Sequence, residues 1–173
     1  GSDSKVFMNR ELSWLSFNER VQAEAHAESL PLYQRLKFLG IVASNLDAFF
    51  MVRVAGLKQQ VLGGVVDVPA DGMTPIEQLS AIRDRTHATV AEQYRLWRDE
   101  LIPQLRSNGV SILARDELSP EQAQAARQYF TSSVFPALTP LAVYQGHPFP
   151  HLRNKSLNLA VLLRREAKGR RRR

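Results

Sequence analysis

The chain has 173 residues, 44% hydrophobic and 23% charged, with no cysteine and a formal net charge of +6. This length suits one ordinary domain or two small ones, and the apolar fraction excludes disorder for most of the chain. The absence of cysteine excludes a disulfide framework, a thiolate metal site and a cysteine nucleophile, and the longest apolar runs fall far below the roughly 18 residues of a membrane-spanning helix.

The positive charge is concentrated at one end of the chain. Seven Lys and Arg residues lie between Arg164 and Arg173, while the first 163 residues carry equal numbers of acidic and basic side chains. A basic run at a chain end is usually solvated, so we expect residues 166–173 to be a solvated tail. Residues 1–4 lack the pattern of a signal peptide and are interpreted as an expression scar.

The first predicted helix covers residues 10–28. Its apolar side chains recur at spacings of three and four, which is typical of an amphipathic helix. Asn9 is the predicted N-cap, and the Leu30-Pro31 step forces the chain out of helical geometry. The predicted apolar face comprises Leu12, Trp14, Leu15, Phe17, Val21 and Ala25.

A second helical stretch covers residues 32–62 and ends at Gly63-Gly64. The small polar residues at 43–47 favour caps and turns, so two helices that meet near Ser44 and one bent helix are both compatible with the pattern. Residues 65–72 predict a surface loop. The apolar stripe of the stretch comprises Leu32, Leu36, Leu39, Phe50, Val54, Leu57 and Val61.

The third helix has the clearest start in the sequence. Residues 74–77 combine a capping threonine, a proline at the first helical position and the glutamate of a capping box. The helix is predicted to run for about 30 residues, with Pro103 kinking or ending it and Asn108-Gly109 closing it. Its apolar stripe comprises Ile76, Leu79, Ile82, Thr86, Val90, Tyr94, Trp97, Leu101 and Leu105.

The pattern changes after Gly109. Residues 110–113 and 157–163 are short apolar runs typical of strands, and residues 119–122 predict a capping box that opens a helix to about residue 138. This order indicates the β-α-β opening of an incomplete α/β domain. The predicted fold class is mainly α, with an antiparallel helical bundle at 5–109, a partial α/β domain at 110–165 and the tail at 166–173.

No complete catalytic set is present in the sequence. The histidines at 147 and 151 are separated by prolines and lack a third ligand at metal-site spacing, so they predict a rigid turn and no metal site. Glycine-rich phosphate loops of the usual kinds are absent. Glu11, Glu19 and Asp47 are expected to form surface ion pairs, and His26, Arg53 and His87 are expected to be solvated.

The best local candidate for a binding residue is Asn45, flanked by Ser44 and Asp47. Its amide offers one acceptor and two donors, which is the complement that the edge of an adenine requires, and a break between helices would leave the amide reachable. Capping of the helix that follows is the other role compatible with this position. The residues alone leave both roles open.

Seven segments in fixed order carry a family resemblance over nearly the whole chain. They are NRELSWLSFNERV at 9–21, RLKFLGI at 35–41, SNLD at 44–47, FFMVRVAG at 49–56, FPALTPLA at 135–142, GHPFPH at 146–151 and SLNLAV at 156–161. Together they resemble bacterial polyphosphate kinase of the large, phosphohistidine-forming type.

The resemblance implies an enzyme that moves the terminal phosphoryl group of ATP reversibly onto inorganic polyphosphate, through a phosphorylated histidine and with magnesium. It implies an N-terminal helical domain, a head domain with dimer contacts, and two C-terminal domains related to phospholipase D that carry the nucleophilic histidine and the metal ligands. This chain matches the first domain and the opening of the head domain, at 110–165. The asparagine of the family's Asn-Leu-Asp motif contacts the nucleotide base, and it corresponds to Asn45 here.

The resemblance therefore predicts the N-terminal region of a polyphosphate kinase, which contributes adenine binding through Asn45 and the assembly contacts of a homo-oligomer. We expect ATP, ADP and polyphosphate as partners, no nucleic acid and no membrane span, with magnesium bound outside this chain. The expected location is cytoplasmic, with peripheral membrane attachment left open, and the chain alone is expected to be inactive. The alternatives are a stand-alone helical interaction module and a nucleic-acid-binding protein that uses the basic tail.

Overall fold

A computed structural model of the protein describes residues 7–64 and 69–164. The predicted expression scar at 1–4, the tail at 166–173 and residues 65–68 of the predicted loop lie outside the described residues. The chain divides into two compact units between Ala114 and Arg115. Each unit is helical, and each is described separately below.

The first unit consists of three long helical stretches. The first stretch is α1, the second is α2 continued by a π-helical segment and α3, and the third is α4 continued by a π-helical segment and α5. Their bounds are α1 Arg10–His26, α2 Leu32–Phe49, π Phe50–Val54, α3 Ala55–Leu62, α4 Pro75–Leu96, π Trp97–Leu101 and α5 Ile102–Ser107.

The ends of these helices agree with the sequence prediction. Asn9 Oδ1 accepts hydrogen bonds from two backbone N–H groups in the first turn of α1, both at 3.0 Å. The Thr74 hydroxyl accepts from the Glu77 N–H, and the Glu77 carboxylate accepts from the Thr74 N–H, which completes the capping box. Gly64 and Gly109, just after α3 and α5, have φ of 64° and 81°, a conformation that favours glycine.

The second stretch has no interruption at residues 43–47, which excludes two helices that meet near Ser44, one of the two alternatives left open by the sequence. Asn45 lies in the interior of α2, which excludes the capping role. Val42 and Leu46, which lie on either side of Ser44 and Asn45 in the sequence, are buried in the bundle. Tertiary packing therefore overrides the weak helix propensity of serine and asparagine, and the irregularity lies later, in the π-helical segment Phe50–Val54.

Pro103 does not end the third stretch, but the α-helical hydrogen-bonding pattern changes just before it. A proline has no N–H to donate to the carbonyl four residues earlier, and its ring crowds that carbonyl. The chain responds with the π-helical segment Trp97–Leu101 immediately before α5, and the helix then continues to Ser107.

The predicted antiparallel bundle is confirmed, because α2 runs antiparallel to both of its neighbours. Arg35 Nε of α2 donates to the Ala25 carbonyl near the end of α1 at 2.8 Å, whereas Arg53 pairs with Glu11 near the start of α1. Against the third stretch, Arg35 Nη1 donates to Gln104 Oε1 at 3.1 Å. The three stretches thus run up, down and up.

The core comprises two clusters of buried side chains, and both tryptophans pack against them as predicted. The first cluster is Leu15, Val42, Leu46, Phe49, Val54, Leu57 and Ile82, and the second is Ala25, Leu39, Leu96 and Leu101. The predicted apolar faces are only partly right. Phe17, Ile76 and Tyr94 are exposed, whereas Asn18 and Gln22 of α1 are buried, because these amides hydrogen-bond to neighbouring helices.

By length and composition alone, the continuous helix Leu32–Leu62 is long and apolar enough to cross a membrane. Core helices of helical bundles meet the same criterion. This helix supplies five of the seven residues of the first core cluster and carries the buried, hydrogen-bonded Arg35. Those contacts are the ones expected of a central bundle helix.

The second unit contains α6 at Pro120–Tyr129, followed by a π-helical segment at Phe130–Val134 and a short 3₁₀ turn at Phe135–Ala137. The predicted capping box at Ser119 is confirmed, since its hydroxyl accepts from the Gln122 N–H and its own N–H donates to the Gln122 side chain.

The predicted β-α-β opening is wrong for the part of the chain that the structure describes. Neither residues 110–113 nor residues 157–163 form a strand, and the single β-type pairing there is an isolated bridge between Tyr144 and His147. A strand needs a neighbour for its backbone N–H and C=O groups. These runs have no such neighbour among the described residues, and Leu157 and Leu162 are 95% and 100% exposed.

Candidate functional site

Asn45 is partly buried near the C-terminal end of α2, where its neighbours along one side of the helix are exposed. Ile41, one turn earlier, is 38% exposed, and Ser44 and Ala48 beside Asn45 are also exposed. The spacing of residues 41, 45 and 48 places them on one stripe of the helix. We call Ile41, Asn45 and Ala48 the α2 stripe. It is an apolar surface that carries one amide, which is the composition of a site for a flat ring with a polar edge.

The amide of Asn45 is held from the interior of the bundle. Its Nδ2 donates a hydrogen bond to Asn18 Oδ1 at 3.0 Å, and Asn18 Nδ2 in turn donates to the Val42 carbonyl at 3.4 Å. Asn18 is 1% exposed. Asn45 Oδ1 has no hydrogen-bond partner among the described residues, so this acceptor remains available to a ligand.

Two further contacts between the same helices fix the position of α2 around Asn45. The rings of Trp14 and Phe49 stack with centroids 4.5 Å apart and planes 8° apart. Trp14 lies one turn before Asn18 on α1, and Phe49 lies one turn after Asn45 on α2. The stacked rings and the amide pair are therefore successive contacts between antiparallel helices, which hold the two backbones at a constant spacing.

The expectation that Arg53 is solvated is wrong. Arg53 Nη1 lies 3.1 Å from Glu11 Oε2, and the two side chains are 31% and 12% exposed. The pair joins α1 to the π-helical segment that follows α2, so it stabilises the same interface as the aromatic stack. Nearby, Asn9 Nδ2 donates to the Asp71 carboxylate at 2.8 Å and connects the start of α1 to the loop before α4.

The remaining ionisable candidates take structural positions. Glu19 pairs with Arg85 of α4 at 2.6 Å, as the ion-pair prediction expected. His26 is partly buried, with Nε2 3.5 Å from a Glu92 carboxylate oxygen. A hydrogen bond from the Arg95 guanidinium lowers the pKa of Glu92 below its ordinary value. These contacts lie at the surface joining α1 to α4, away from the α2 stripe.

A tight turn lies at residues 144–147, just before the segment 147–151 that was predicted to form one. The His147 N–H donates to the Tyr144 carbonyl at 2.8 Å, and the two rings stack with centroids 4.8 Å apart. Within residues 7–64 and 69–164, no group of three or more His, Asp or Glu side chains could hold a metal ion.

The other shifted carboxyl groups lie at helix starts. The pKa of Glu77 lies below its ordinary value because the Thr74 N–H, and then the Thr74 hydroxyl, donate hydrogen bonds to its carboxylate. The pKa of Glu121 is lowered by the hydroxyl of Ser119. Both shifts arise from helix capping, so they do not indicate an acid or base poised for catalysis.

Asn18 is the member of this site that reasoning from the sequence missed. A signal was nevertheless present, because residues 11, 15, 18, 22 and 25 have the spacing of one helical face and all five are buried. Leu15 and Ala25 mark that face as the one turned to the core. A search for apolar stripes passes over it, since three of its five members are polar.

The fold of the first unit is that of a three-stretch helical bundle domain, and the second unit continues the chain with one further helix. Comparison with known proteins identifies both parts. Residues 7–113 match the family described as polyphosphate kinase N-terminal domain, and residues 121–173 match the polyphosphate kinase middle domain. The chain therefore belongs to the polyphosphate kinase family.

Individual relatives agree with this family. The polyphosphate kinase of Thermosynechococcus vestitus is 51% identical over 165 residues, which cover 95% of this chain and 22% of that protein. That of Mycobacterium marinum is 47% identical over 163 residues, covering 94% of this chain and 22% of that protein. The crystal structure of polyphosphate kinase from Porphyromonas gingivalis is 34% identical with a TM-score of 0.71, covering 85% of this chain and 21% of that chain. The chain thus spans about a fifth of the length of these relatives.

Proposed function

We propose that this chain is the N-terminal region of an enzyme that transfers the terminal phosphoryl group of ATP to inorganic polyphosphate, and that its bundle binds the adenine of ATP through Asn45. Family membership supports the reaction, since the relatives are named polyphosphate kinases. The observation that carries the site is the position of the partly buried Asn45 amide, which is held by Asn18 and lies on the apolar α2 stripe beside the exposed Ile41 and Ala48.

The chemistry of the site suits recognition of an adenine. Its exocyclic amino group can donate to Asn45 Oδ1, and its ring face can lie against Ile41 and Ala48. The stripe covers one side of such a ring, so we expect an affinity on the order of 1 mM for the chain alone. In the intact enzyme the contact would orient ATP and raise its effective concentration at a reacting centre built by other parts of the polypeptide.

We propose the domain division as 5–109 for the helical domain and 110–165 for the start of the head domain. The boundary between the two compact units, after Ala114, and the gap between the two family matches support this division. The described residues offer no set of ligands that fits magnesium. In the proposed enzyme, magnesium and the nucleophilic histidine belong to polypeptide outside this chain.

We also propose that the intact enzyme is a cytoplasmic homo-oligomer that assembles through the head domain. The alternative of a stand-alone interaction module predicts that the bundle does not bind nucleotides. The nucleic-acid alternative depends on the tail at 166–173, which lies outside the described residues, and it stays a prediction.

Titration of the isotope-labelled chain with ATP, followed by NMR, tests the adenine site. We expect saturable shifts of the backbone amide signals of residues 44–49, and we expect Asn45→Ala to weaken binding about tenfold through loss of the base contact. Gln59→Ala, an exposed substitution on α3, is the matched control and should leave binding unchanged. Absence of shifts at residues 44–49 at 10 mM ATP would contradict the assignment of Asn45.

A radiolabelled phosphoryl-transfer assay tests the prediction that the chain alone is inactive. The chain should form no labelled polymer from ATP, because phosphoryl transfer requires cations and a nucleophile that converge on the transferred group. A catalytically active polyphosphate kinase serves as the positive control. Polymer growth with the purified chain would place the catalytic residues within it.

A further inference from the structure

Asn18 is a buried amide on the face of α1 that packs against α2. It is 1% exposed, the lowest value of any polar side chain in the described bundle. A buried amide is tolerated when its polar atoms are hydrogen-bonded. Both ends of Asn18 meet this condition, since Nδ2 donates to the Val42 carbonyl and Oδ1 accepts from Asn45 Nδ2.

The Val42 carbonyl sets the direction of this series of hydrogen bonds. The Val42 carbonyl can only accept, so the nitrogen of the Asn18 amide must face it. The oxygen of Asn18 then faces Asn45, and as a buried acceptor it requires a hydrogen-bond donor from that residue. Asn45 must therefore place its Nδ2 towards Asn18, because Asn45 Oδ1 in that position would lie against Asn18 Oδ1 and bring two acceptors together. A backbone carbonyl thus decides which end of the Asn45 amide is held in the bundle.

The consequence concerns the groups that Asn45 offers to a ligand. With one Nδ2 hydrogen bound to Asn18, the amide keeps its Oδ1 acceptor and its second Nδ2 hydrogen. Adenine carries an amino donor at position 6 and ring-nitrogen acceptors beside it, whereas guanine carries a carbonyl acceptor at position 6. An amide free to rotate by half a turn could serve either base. For a base that lies in one orientation, an amide held by Asn18 places its Oδ1 acceptor opposite the position-6 amino group of adenine, and it would place the same acceptor opposite the position-6 carbonyl of guanine.

We propose that Asn18 is a positioning residue that fixes the orientation of the Asn45 amide and thereby makes the site select adenine over guanine nucleotides. This inference rests on the proposed function, in which Asn45 contacts the base. Asn18 does not touch the nucleotide. It acts through its hydrogen bond to Asn45 Nδ2, and its own hydrogen bond to the Val42 carbonyl keeps it from turning.

Paired NMR titrations with ATP and with GTP test this role in the full chain. The wild type should bind ATP at least about tenfold more tightly than GTP, the discrimination expected of one good amide-to-base match. In Asn18→Leu the ratio should fall to about twofold or less, because Asn45 can then rotate.

Gln22→Leu is the matched control for loss of a buried amide from α1. Gln22 is 5% exposed and donates to the Thr89 carbonyl of α4, so it has no link to Asn45. This variant should keep the wild-type preference for ATP. An equal loss of preference in Gln22→Leu and Asn18→Leu would show a general effect of packing and overturn the positioning role.

A second measurement follows the Asn45 side chain without any nucleotide. The bonded Nδ2 hydrogen should exchange with solvent more slowly in the wild type than in Asn18→Leu, and unchanged exchange would overturn the inference. The proposed function fails separately, when the wild type shows no ATP-dependent shifts at residues 44–49. If the wild type binds ATP, Asn45→Ala weakens that binding and Asn18→Leu still prefers ATP, the adenine site stands and only the role of Asn18 falls.

Discussion

The two helical units share their local signals and differ in what they bury. Each contains a helix opened by a complete capping box, at Thr74 in the first unit and at Ser119 in the second. The first unit buries 12 hydrophobic side chains, whereas no described residue from Arg115 to Arg164 is buried. Local signals therefore specify helix ends in both units, but a core forms only where several helices offer apolar faces to one another.

Their hydrogen bonds differ in the same way. In the first unit, Arg35 and Gln22 connect helices that are far apart in sequence. Around α6 of the second unit, the Thr131 hydroxyl donates to the Arg127 carbonyl within one helical turn. Stability that arises from long-range contacts should therefore reside in the first unit, and matched substitutions in the two units can measure the difference.

The largest contrast is expected for leucine. Leu15→Ala, at a position 2% exposed, should lower the free energy of unfolding by about 3 kcal/mol through lost burial and the cavity left behind. Leu162→Ala, at a position 100% exposed, should change it by less than about 0.5 kcal/mol. Urea unfolding followed by both tryptophan fluorescence and circular dichroism measures the two variants, since Trp14 and Trp97 report the first unit and the helical signal also includes α6 of the second. Similar losses for the two variants would contradict the comparison.

A smaller contrast is expected for arginine. Arg35 is 3% exposed, donates to the Ala25 carbonyl at 2.8 Å and lies 3.3 Å from Glu100. Arg35→Leu should lower the free energy of unfolding by about 2 kcal/mol, because that carbonyl is left unpaired. Arg83→Leu removes an exposed pair with Asp84 and should cost less than about 0.5 kcal/mol in the same assay. If Arg83→Leu lowered the free energy of unfolding as much as Arg35→Leu does, surface pairs would contribute as much as buried ones.

The two capping boxes offer the same substitution in both units. Thr74→Ala should lower the free energy of unfolding of the first unit by about 1 kcal/mol, the usual cost of a lost N-cap. Ser119→Ala removes the equivalent cap from α6 and should leave the fluorescence transition unchanged, while the helical signal in circular dichroism decreases slightly. A shift of the fluorescence transition by Ser119→Ala would show that α6 unfolds together with the bundle.

The smallest expected effect is a pH dependence at the Thr74 cap. The lowered pKa of Glu77 means that its contribution is complete above the ordinary value of 4.5 and is lost as pH falls through the lower folded value. Glu77→Gln keeps the capping box, as Gln122 does at Ser119, but cannot titrate. The difference in free energy of unfolding between the wild type and Glu77→Gln should therefore shrink between neutral pH and about pH 3. Curves of unfolding free energy against pH that run parallel for the two proteins would contradict this prediction.

Much of the fold could be predicted because helix starts and stops are encoded locally. The caps at Asn9, Thr74 and Ser119 and the stops at Gly64 and Gly109 depend on residues within one turn of the helix end. The absence of a strand at residues 157–163 could not be predicted by the same means. The apolar composition of these residues satisfies the local pattern of a strand, but pairing requires a neighbour that local sequence does not supply.

In the candidate site, too, one residue could be selected from the sequence and the other could not. Its asparagine could be selected from the sequence, since an amide among small and apolar residues is chemically distinctive and the family motif contains it. The sequence suggested that a helix break leaves Asn45 reachable, whereas the structure places it, partly buried, within an unbroken helix. Asn18 was not selected, because a search by hydrophobic period treats a polar residue as facing solvent.

By itself the sequence determined where the helices of this protein begin and end, that the positive charge belongs to the tail, and which family the segments resemble. Only the tertiary structure decided which face of α1 is buried, that Glu11 pairs with Arg53, and that the Asn45 amide is held by Asn18. The physical reason is that caps and turns are local interactions, whereas burial and amide orientation depend on partners between ten and seventy residues away, whose positions are set by packing.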